Sequence, residues 1–278
     1  MKQEAENKNK LFGEQSQAVK LSKVIVIFLV WQFVIPLVSL FILTFFDGLA
    51  GTDFANENSW GIYLLMDLLT ISMCLPILKN SQIDGSIDKG VLFFFPIAVP
   101  LAFCLGDFVS RGLALLPNTE EMFAQYEQMM GTIEGPVILE ILVVVICGPI
   151  VEEFFFRGIL YECLKQKYTI WIGIIISSLI FGGIHLNMLQ FIDASIAGIV
   201  LCIIYEKTKK LVAPIFVHMV NNLISTLEIE FAAEAPLWVQ ILIILVEIVV
   251  VGAILIKFFL PLKEKEGVLE HEEQACSS

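Results

Sequence analysis

The chain has 278 residues, of which 57% are hydrophobic and only 17% are charged. Its mean hydropathy of +0.83 and its apolar fraction exceed those of soluble domains, about 45–50% of whose residues are apolar. Composition therefore excludes a soluble globular protein. The formal net charge of −12, with basic residues in short scattered clusters, excludes a nucleic-acid-binding surface. A polytopic membrane protein is predicted.

Eight apolar segments are each close to the roughly 20 helical residues that cross a bilayer. They lie at about 24–46, 61–78, 91–105, 136–163, 170–186, 189–205, 212–227 and 237–260. The fifth and sixth are so close together that they must form a tight helical hairpin. The acidic stretch at 120–123, within the connection 106–135, favours a short interfacial helix. The sequence thus predicts an all-α bundle of about eight transmembrane helices.

The positions of the basic residues predict the orientation. Sixteen of the 17 Lys and Arg residues fall in the tails and in alternate connections, and only Arg111 falls on the other side. Because positive charge is enriched on the cytoplasmic side, both termini are predicted to be cytoplasmic. We expect a polar tail at 1–20, one membrane domain at 21–262 and a charged tail at 263–278, in the plasma membrane of a bacterium.

Three charged residues, Glu152, Glu153 and Arg157, interrupt the fourth apolar segment. Charged side chains at membrane depth cost about 2.5–3.5 kcal/mol each on insertion scales and are functional by default. On a helix, Glu153 and Arg157 share a face and can form an ion pair, while Glu152 points about 100° away. Glu152 is therefore left for chemistry. Gly148-Pro149, just before, predicts a break or kink.

Two later motifs hold the histidines of the apolar segments. His185 ends Phe181-Gly182-Gly183-Ile184-His185, and His218 is followed four residues later by Asn222. His218 and Asn222 share a helix face, so both can offer N–H donors to one point. The third histidine, His271, lies in the charged tail. Five other acids in or near the apolar segments are expected to pair with backbone or interface partners: Asp67, Asp107, Glu140, Asp193 and Glu247.

This set of residues suits hydrolysis of an amide, which needs an activated water and a stabilised oxyanion. Glu152 and His185 would activate the water, and His218 and Asn222 would bind the oxyanion. A zinc ion held by Glu152, His185 and His218, with water at the open position, is the alternative. It ranks second because the sequence has no His-Glu-x-x-His and because Arg157 already engages a carboxylate of the set. No other cofactor is expected.

The ordered motifs Glu152-Glu153-x-x-x-Arg157, Phe181-x-x-x-His185 and His218-x-x-x-Asn222 resemble the CPBP family of CAAX prenyl proteases and bacteriocin-processing enzymes, also called Abi. The similarity covers about residues 148–222, which would form the catalytic core. It implies an eight-helix intramembrane endopeptidase, glutamate-dependent or metallo-type, in which Glu152 works with His185 and His218 works with Asn222. Its partners would be the lipid bilayer and a membrane-associated, leader-bearing or CAAX-like peptide or protein substrate.

Two other functional classes stay open. The family includes proteins assigned to bacteriocin self-immunity or to regulation of membrane kinases. A non-catalytic membrane protein that binds a peptide or a sensor kinase is therefore the main alternative, and it would tolerate Glu152→Ala. A proton-coupled transporter could also use intramembrane carboxylates, but the sequence lacks the paired broken helices of inverted repeats.

Overall fold

The computed structural model describes residues 21–52, 59–80, 86, 89–130, 136–226 and 236–259. Within these ranges the chain forms nine helices, listed here as α1 (21–50), α2 (Ser59–Asn80), α3 (Lys89–Ala114), α4 (Glu120–Met130), α5 (137–167), α6 (Ile170–Gly183), α7 (Met188–Thr208), α8 (Val212–Thr226) and α9 (237–259). The two predicted tails, with His271, lie outside the described residues. The domain limits at 21 and 262 stay a prediction.

The helices confirm the all-α membrane fold. Each predicted apolar segment forms one helix, and α4 is the short helix expected in the connection 106–135. Four stretches are long and apolar enough to cross a membrane by length and composition: Ser22–Ala50, Ser59–Pro76, Met188–Thr208 and Leu237–Lys257. The apolar helices α6 and α8 are shorter. The orientation of the termini stays a prediction.

Several helix ends differ from the prediction by three residues or more, and two of them have a local reason. α3 continues beyond residue 105 to Ala114, because Asp107 and Arg111 pair one turn apart, at 2.8 and 2.9 Å, and so satisfy each other within the helix. α6 ends at Gly183 rather than at residue 186. Leu186 has a φ of 55°, which turns the chain out of the helical path.

α5 carries the acidic motif and changes its winding along its length. It is α-helical over Val137–Glu140, Gly148–Phe155 and Glu162–Lys167, and π-helical over Ile141–Cys147 and Phe156–Tyr161. The Gly148 N–H donates to the carbonyl of Val143, five residues back, and Pro149 has no N–H for the ordinary four-residue step. The predicted break or kink at Gly148-Pro149 is therefore a change of winding within a continuous helix, of the kind found at functional sites.

α6 and α7 form the predicted tight hairpin, because small residues line their contact. A Cβ added to Gly198 would lie 3.0 Å from Ser178 Cβ. A Cβ added to Gly182 would lie 2.5 Å from the carbonyl oxygen of Phe191 and would overlap Ser195 Oγ. The two backbones therefore approach more closely than larger side chains would allow.

α5, α6, α7 and α8 supply most of the buried apolar core, and the remaining helices surround it. α1 docks through aromatic contacts, with ring centroids of Phe28 and Trp31 at 5.7 and 5.2 Å from that of Phe155. Beyond this contact, the second half of α1 exposes a broad apolar face with large side chains such as Phe41 and Leu49. Such a face suits contact with lipid.

One end of the core is closed by a polar clamp, formed by Tyr161, Lys165, Glu206 and Lys209. The Tyr161 hydroxyl donates to Glu206 Oε2 at 2.7 Å, and Lys165 Nζ lies 3.1 Å from the same oxygen. Lys209 also pairs with Glu206. Burial disfavours the charged form of Lys165, but the carboxylates of Glu162 and Glu206 outweigh it and raise the pKa of Lys165. The clamp holds the end of α5 against the end of α7.

Candidate active site

Glu153 and Arg157 form the ion pair that their spacing predicts. Arg157 Nη1 lies 2.6 Å from Glu153 Oε1, and both side chains are enclosed, at 1% and 0% exposed. Arg157 Nη2 also donates to the carbonyl oxygen of Gly198 on α7, at 3.2 Å. The guanidinium carbon lies 4.7 Å from the centroid of the Phe181 ring on α6, a favourable cation–π distance. The pair therefore ties α5 to α6 and α7.

His218 on α8 connects this ion pair to Glu152. Its Nδ1 lies 2.9 Å from Glu153 Oε1, and its Nε2 lies 3.5 Å from Glu152 Oε2. A carboxylate that pairs with arginine can only accept hydrogen bonds, so the Nδ1–H of His218 donates to Glu153. This bond fixes the orientation of the ring and directs Nε2 at Glu152.

Glu152 and Glu153 are adjacent in sequence but have different surroundings. The Glu152 side chain is 20% exposed, whereas Glu153 is fully enclosed between Arg157 and His218. Glu152 can therefore meet water or a substrate, and Glu153 cannot. This agrees with the expectation that Arg157 would occupy Glu153.

His185 lies in the turn that follows α6, not within the helix. Its Nδ1 is 3.0 Å from the carbonyl oxygen of Phe181, and because a carbonyl only accepts, Nδ1–H donates and Nε2 is left as an acceptor. The Phe181 ring contacts both histidines, with its centroid 5.5 Å from that of His185 and 5.6 Å from that of His218. His185 is therefore connected to His218 through the ring of Phe181. Apart from the motif spacing, nothing in the sequence predicts this role for Phe181.

Asn222 faces the same helix as the glutamates. Its Nδ2 donates to the carbonyl oxygen of Val144 at 2.8 Å, in the π-helical stretch that precedes Gly148. Each amide nitrogen carries two hydrogens, so the predicted oxyanion role would use the second N–H. The contact with Val144 could not be predicted, because a backbone acceptor leaves no side-chain pattern.

The other acids named from the sequence have different surroundings. Asp107 pairs with Arg111 within α3, and Glu247 on α9 interacts electrostatically with Asp107. Asp193 on α7 interacts electrostatically with His218, and Asp67 on α2 interacts with Glu152. Two of these acids therefore lie beside the predicted site.

The described residues bring no three or more His, Cys, Asp and Glu side chains together in a way that could hold a metal ion. Of the residues named for a zinc site, Glu152 and His218 are neighbours, and His185 and His218 both contact the Phe181 ring.

Comparison with known proteins points to one family. Residues 134–224 match the family model of the Rce1-like type II CAAX prenyl endopeptidases. YdiL of Bacillus subtilis, named as a membrane peptidase, is 36% identical over 84 residues, which are 30% of this chain. The membrane-embedded CAAX protease MroQ of Staphylococcus aureus is 32% identical over 118 residues, or 40% of this chain. An uncharacterized 24.3 kDa protein of Escherichia coli is 32% identical over 88 residues, or 30% of this chain.

These matches confirm the resemblance that the motifs predict, and with the apolar helices they show a multi-pass membrane protein. The matched segments cover 34% of YdiL, 41% of the Escherichia coli protein and 44% of MroQ. The chain therefore spans less than half of the length of these relatives. No solved structure matches it at a significant level. The matched segment contains all six predicted site residues, whose individual roles stay predictions.

Proposed function

We propose that the chain is an intramembrane endopeptidase that hydrolyses a peptide bond with water activated by Glu152 and His185. The main support for this proposal is that two adjacent glutamates have different surroundings. Glu153 is locked by Arg157 and by His218 Nδ1, whereas Glu152 is partly exposed and faces His218 Nε2. This difference leaves Glu152 as the carboxylate that can reach a water and take its proton, as general base catalysis requires.

Activation of water is assigned to Glu152 and His185. The carboxylate of Glu152 takes a proton from the water as its oxygen attacks the carbonyl carbon of the scissile bond. His185, with Nδ1–H tied to the Phe181 carbonyl, accepts a hydrogen bond from the same water through Nε2. Glu152 then delivers its proton to the amine nitrogen as the C–N bond breaks, so one water is consumed and two chain ends are formed.

Stabilisation of the oxyanion is assigned to His218 and Asn222. Because Nδ1–H of His218 is committed to Glu153, Nε2 can donate to an oxyanion only when the ring carries its second proton. Two carboxyl groups besides Glu153 interact with His218. Glu152 Oε2 lies 3.5 Å from Nε2, and Asp193 interacts electrostatically with the ring. Loss of one such donor in other hydrolases costs about 2.7–4 kcal/mol.

The substrate class follows from the location of the site and from the comparisons. Glu152 lies on an apolar helix inside a membrane protein, so the scissile bond must reach membrane depth on a hydrophobic or lipidated segment. The Rce1-like match and the similarity to a CAAX protease favour a CAAX-like or leader-bearing membrane peptide.

The test is cleavage of quenched fluorescent peptides by the purified full chain in liposomes. One peptide carries a farnesylated C-terminal CAAX sequence, a second carries the same sequence without the lipid, and a third is an amphipathic leader peptide. Wild type is compared with Glu152→Gln, His185→Ala and the matched control Glu140→Gln, an acid that lies 12 residues before Glu152 on α5. Each is assayed with and without a chelator.

We expect wild type and Glu140→Gln to cut at least one peptide, and Glu152→Gln and His185→Ala to lose activity by about 10²–10⁴-fold. Activity that the chelator removes and zinc restores would replace the water-activation scheme by the metal version. Activity of Glu152→Gln equal to that of wild type would overturn the assignment of water activation to Glu152. If wild type cuts none of the peptides, the endopeptidase proposal fails. A binding role in immunity or regulation would then lead.

A further inference from the structure

The carbonyl group of Val144 loses its backbone partner where α5 changes its winding. In an ordinary α-helix this carbonyl would accept from the N–H of Gly148, four residues on. Here the Gly148 N–H donates to the carbonyl of Val143 instead. In a π-helix the donor would be residue 149, but that residue is a proline and has no N–H. Both helical donors to the Val144 carbonyl are therefore removed.

Each residue of the Gly148-Pro149 pair contributes separately to this arrangement. A Cβ added to Gly148 would lie 2.9 Å from the carbonyl oxygen of Val143. The absence of a side chain at Gly148 therefore permits the five-residue hydrogen bond. Pro149 is buried, and its nitrogen offers no hydrogen where any other residue would supply a donor. Together the two residues open one carbonyl group within an apolar helix.

Asn222 supplies the missing donor from α8. Its Nδ2 donates to the Val144 carbonyl oxygen at 2.8 Å, and α8 packs against the Ile141–Cys147 stretch of α5. At membrane depth no water replaces a lost backbone partner, so the protein itself must satisfy this carbonyl. Because one N–H of the amide is used here, the side chain is held in one orientation and its second N–H has a fixed direction.

We propose that Pro149 is a positioning residue of the active site. By leaving the Val144 carbonyl without a backbone donor, it reserves that carbonyl for Asn222 and so directs the second N–H of Asn222 at the oxyanion. The catalytic consequence rests on the proposed endopeptidase function, whereas the link from Pro149 through Val144 to Asn222 does not. Two experiments separate them.

The first experiment is a double-mutant cycle on thermal unfolding, which needs no activity. Asn222→Ala leaves the Val144 carbonyl unsatisfied and should lower Tm by about 2–10 °C. Pro149→Ala restores an N–H, so that the backbone can again satisfy this carbonyl, and it should raise Tm by several degrees more in the Asn222→Ala background than in wild type. The matched controls are Asn221→Ala, at the adjacent residue about 100° around α8, and Pro76→Ala, at an exposed proline inside α2. The Tm shifts of Asn221→Ala with Pro149→Ala, and of Asn222→Ala with Pro76→Ala, should add.

The second experiment measures kcat and KM of the same variants in the peptide assay. Pro149→Ala should lower kcat by about 10- to 100-fold with little change in KM, because the amide of Asn222 loses its fixed direction. Asn222→Ala should lower kcat by about 10²–10³-fold. Adding Pro149→Ala to it should cause no further loss, because the proline acts only through Asn222. Asn221→Ala and Pro76→Ala should keep wild-type kcat.

Gly148→Ala perturbs the same link without a change at the proline. Its methyl group displaces the Val143 carbonyl, so that the Gly148 N–H can return to Val144 and compete with Asn222. We expect kcat to fall when Gly148→Ala is made in wild type, but not when it is made in the Asn222→Ala background.

The outcomes distinguish the link, the positioning role and the proposed function. Additive Tm shifts for Pro149→Ala and Asn222→Ala would overturn the link. Non-additive Tm shifts with a wild-type kcat for Pro149→Ala, or losses of kcat that multiply in the double variant, would overturn the positioning role and leave the proposed function intact. If wild type cuts no peptide, the proposed function fails, and the cycle still decides the link.

Discussion

At the scale of single residues, Glu153 organises the site although it is fully enclosed. One of its oxygens, Oε1, is the partner of both Arg157 Nη1, at 2.6 Å, and His218 Nδ1, at 2.9 Å. Removing one partner of a buried ion pair costs about 3–5 kcal/mol, whereas replacing both partners by apolar groups of similar volume is often neutral. Stability and catalysis should therefore respond differently to changes at this pair.

We expect Glu153→Leu alone to lower the free energy of unfolding by about 3–5 kcal/mol, because Arg157 is left as an unpaired buried charge. The double variant Glu153→Leu with Arg157→Met should recover most of that stability but not the peptidase activity, because His218 still lacks the acceptor that orients it. Thermal unfolding in detergent and the peptide assay measure the two quantities on the same preparations.

Asp107→Leu is the matched control, since it breaks another pair four residues apart, Asp107–Arg111 on α3. It should reduce stability without changing kcat per folded molecule. If the double variant at Glu153 and Arg157 recovered both stability and activity, Glu153 would serve only to neutralise Arg157.

At the scale of elements, the α6–α7 hairpin sets where His185 can lie. Gly182 packs against Ser195 Oγ and lies where an added Cβ would be 2.5 Å from the Phe191 carbonyl oxygen. Gly183, the next residue, is exposed, with no atom within 4 Å of an added Cβ. The two adjacent glycines therefore provide a substitution and its control within one turn.

We expect Gly182→Ala to destabilise the protein by about 1–3 kcal/mol through overpacking and to lower activity, because the hairpin must open at the turn that carries His185. Gly183→Ala should be close to neutral in Tm and in kcat. Thermal unfolding and the peptide assay check both. A neutral Gly182→Ala would show that the two helices can separate at little cost.

The polar clamp is the other element whose contribution can be isolated. Tyr161→Phe removes the hydrogen bond to Glu206 and should lower the free energy of unfolding by about 1.5–3 kcal/mol, the range for bonds to charged groups. Tyr168→Phe, at an exposed tyrosine just beyond α5, should have no measurable effect. Equal Tm values for the two variants would contradict a stabilising clamp.

The stabilisation that Lys165 contributes to the clamp should also be independent of pH near neutrality. Lys165 has a raised pKa in the folded protein. The stabilisation that its ion pairs provide is therefore complete below the pKa of Lys165 in the unfolded chain, about 10.4. It is lost only as the pH rises through the raised pKa of the folded state. The Tm difference between wild type and Tyr161→Phe should therefore not change because of Lys165 between about pH 6 and 9.

At the scale of the whole molecule, the sequence was sufficient to predict the helices and one ion pair. Apolar runs of membrane length must be helical whatever their neighbours, and the spacing of Glu153 and Arg157 implies their contact. The contacts of His218 with both glutamates require the packing of α8 against α5, which no local pattern encodes. The π-helical stretch Ile141–Cys147 has the same composition as an ordinary helix, so its winding could not be predicted.

Helix lengths also give an expected depth for the site. Glu152 lies ten residues before Glu162, which pairs with Lys165 of the clamp. That is about 15 Å along a helix, or half of a hydrocarbon core about 30 Å thick. His218 follows Lys210 by eight residues, or about 12 Å. His185 is further along its own helix, but its ring bonds back to the Phe181 carbonyl, which brings it nearer to the level of the other two.

The orientation of the bundle determines which side of the membrane supplies the substrate and the water. The distribution of Lys and Arg predicts that the clamp is cytoplasmic, so the site would lie about 12–15 Å beneath the cytoplasmic surface. Reporter fusions test this directly. We expect alkaline phosphatase, which is active only after export, to be active when fused after Thr52, Asn118 or Pro236, and green fluorescent protein to fluoresce when fused after Ser86, Thr169 or Lys209. The opposite pattern would place the clamp outside and require substrates to reach Glu152 from the outer leaflet. A CAAX-like substrate, made and lipidated in the cytoplasm, would then have no access to the site.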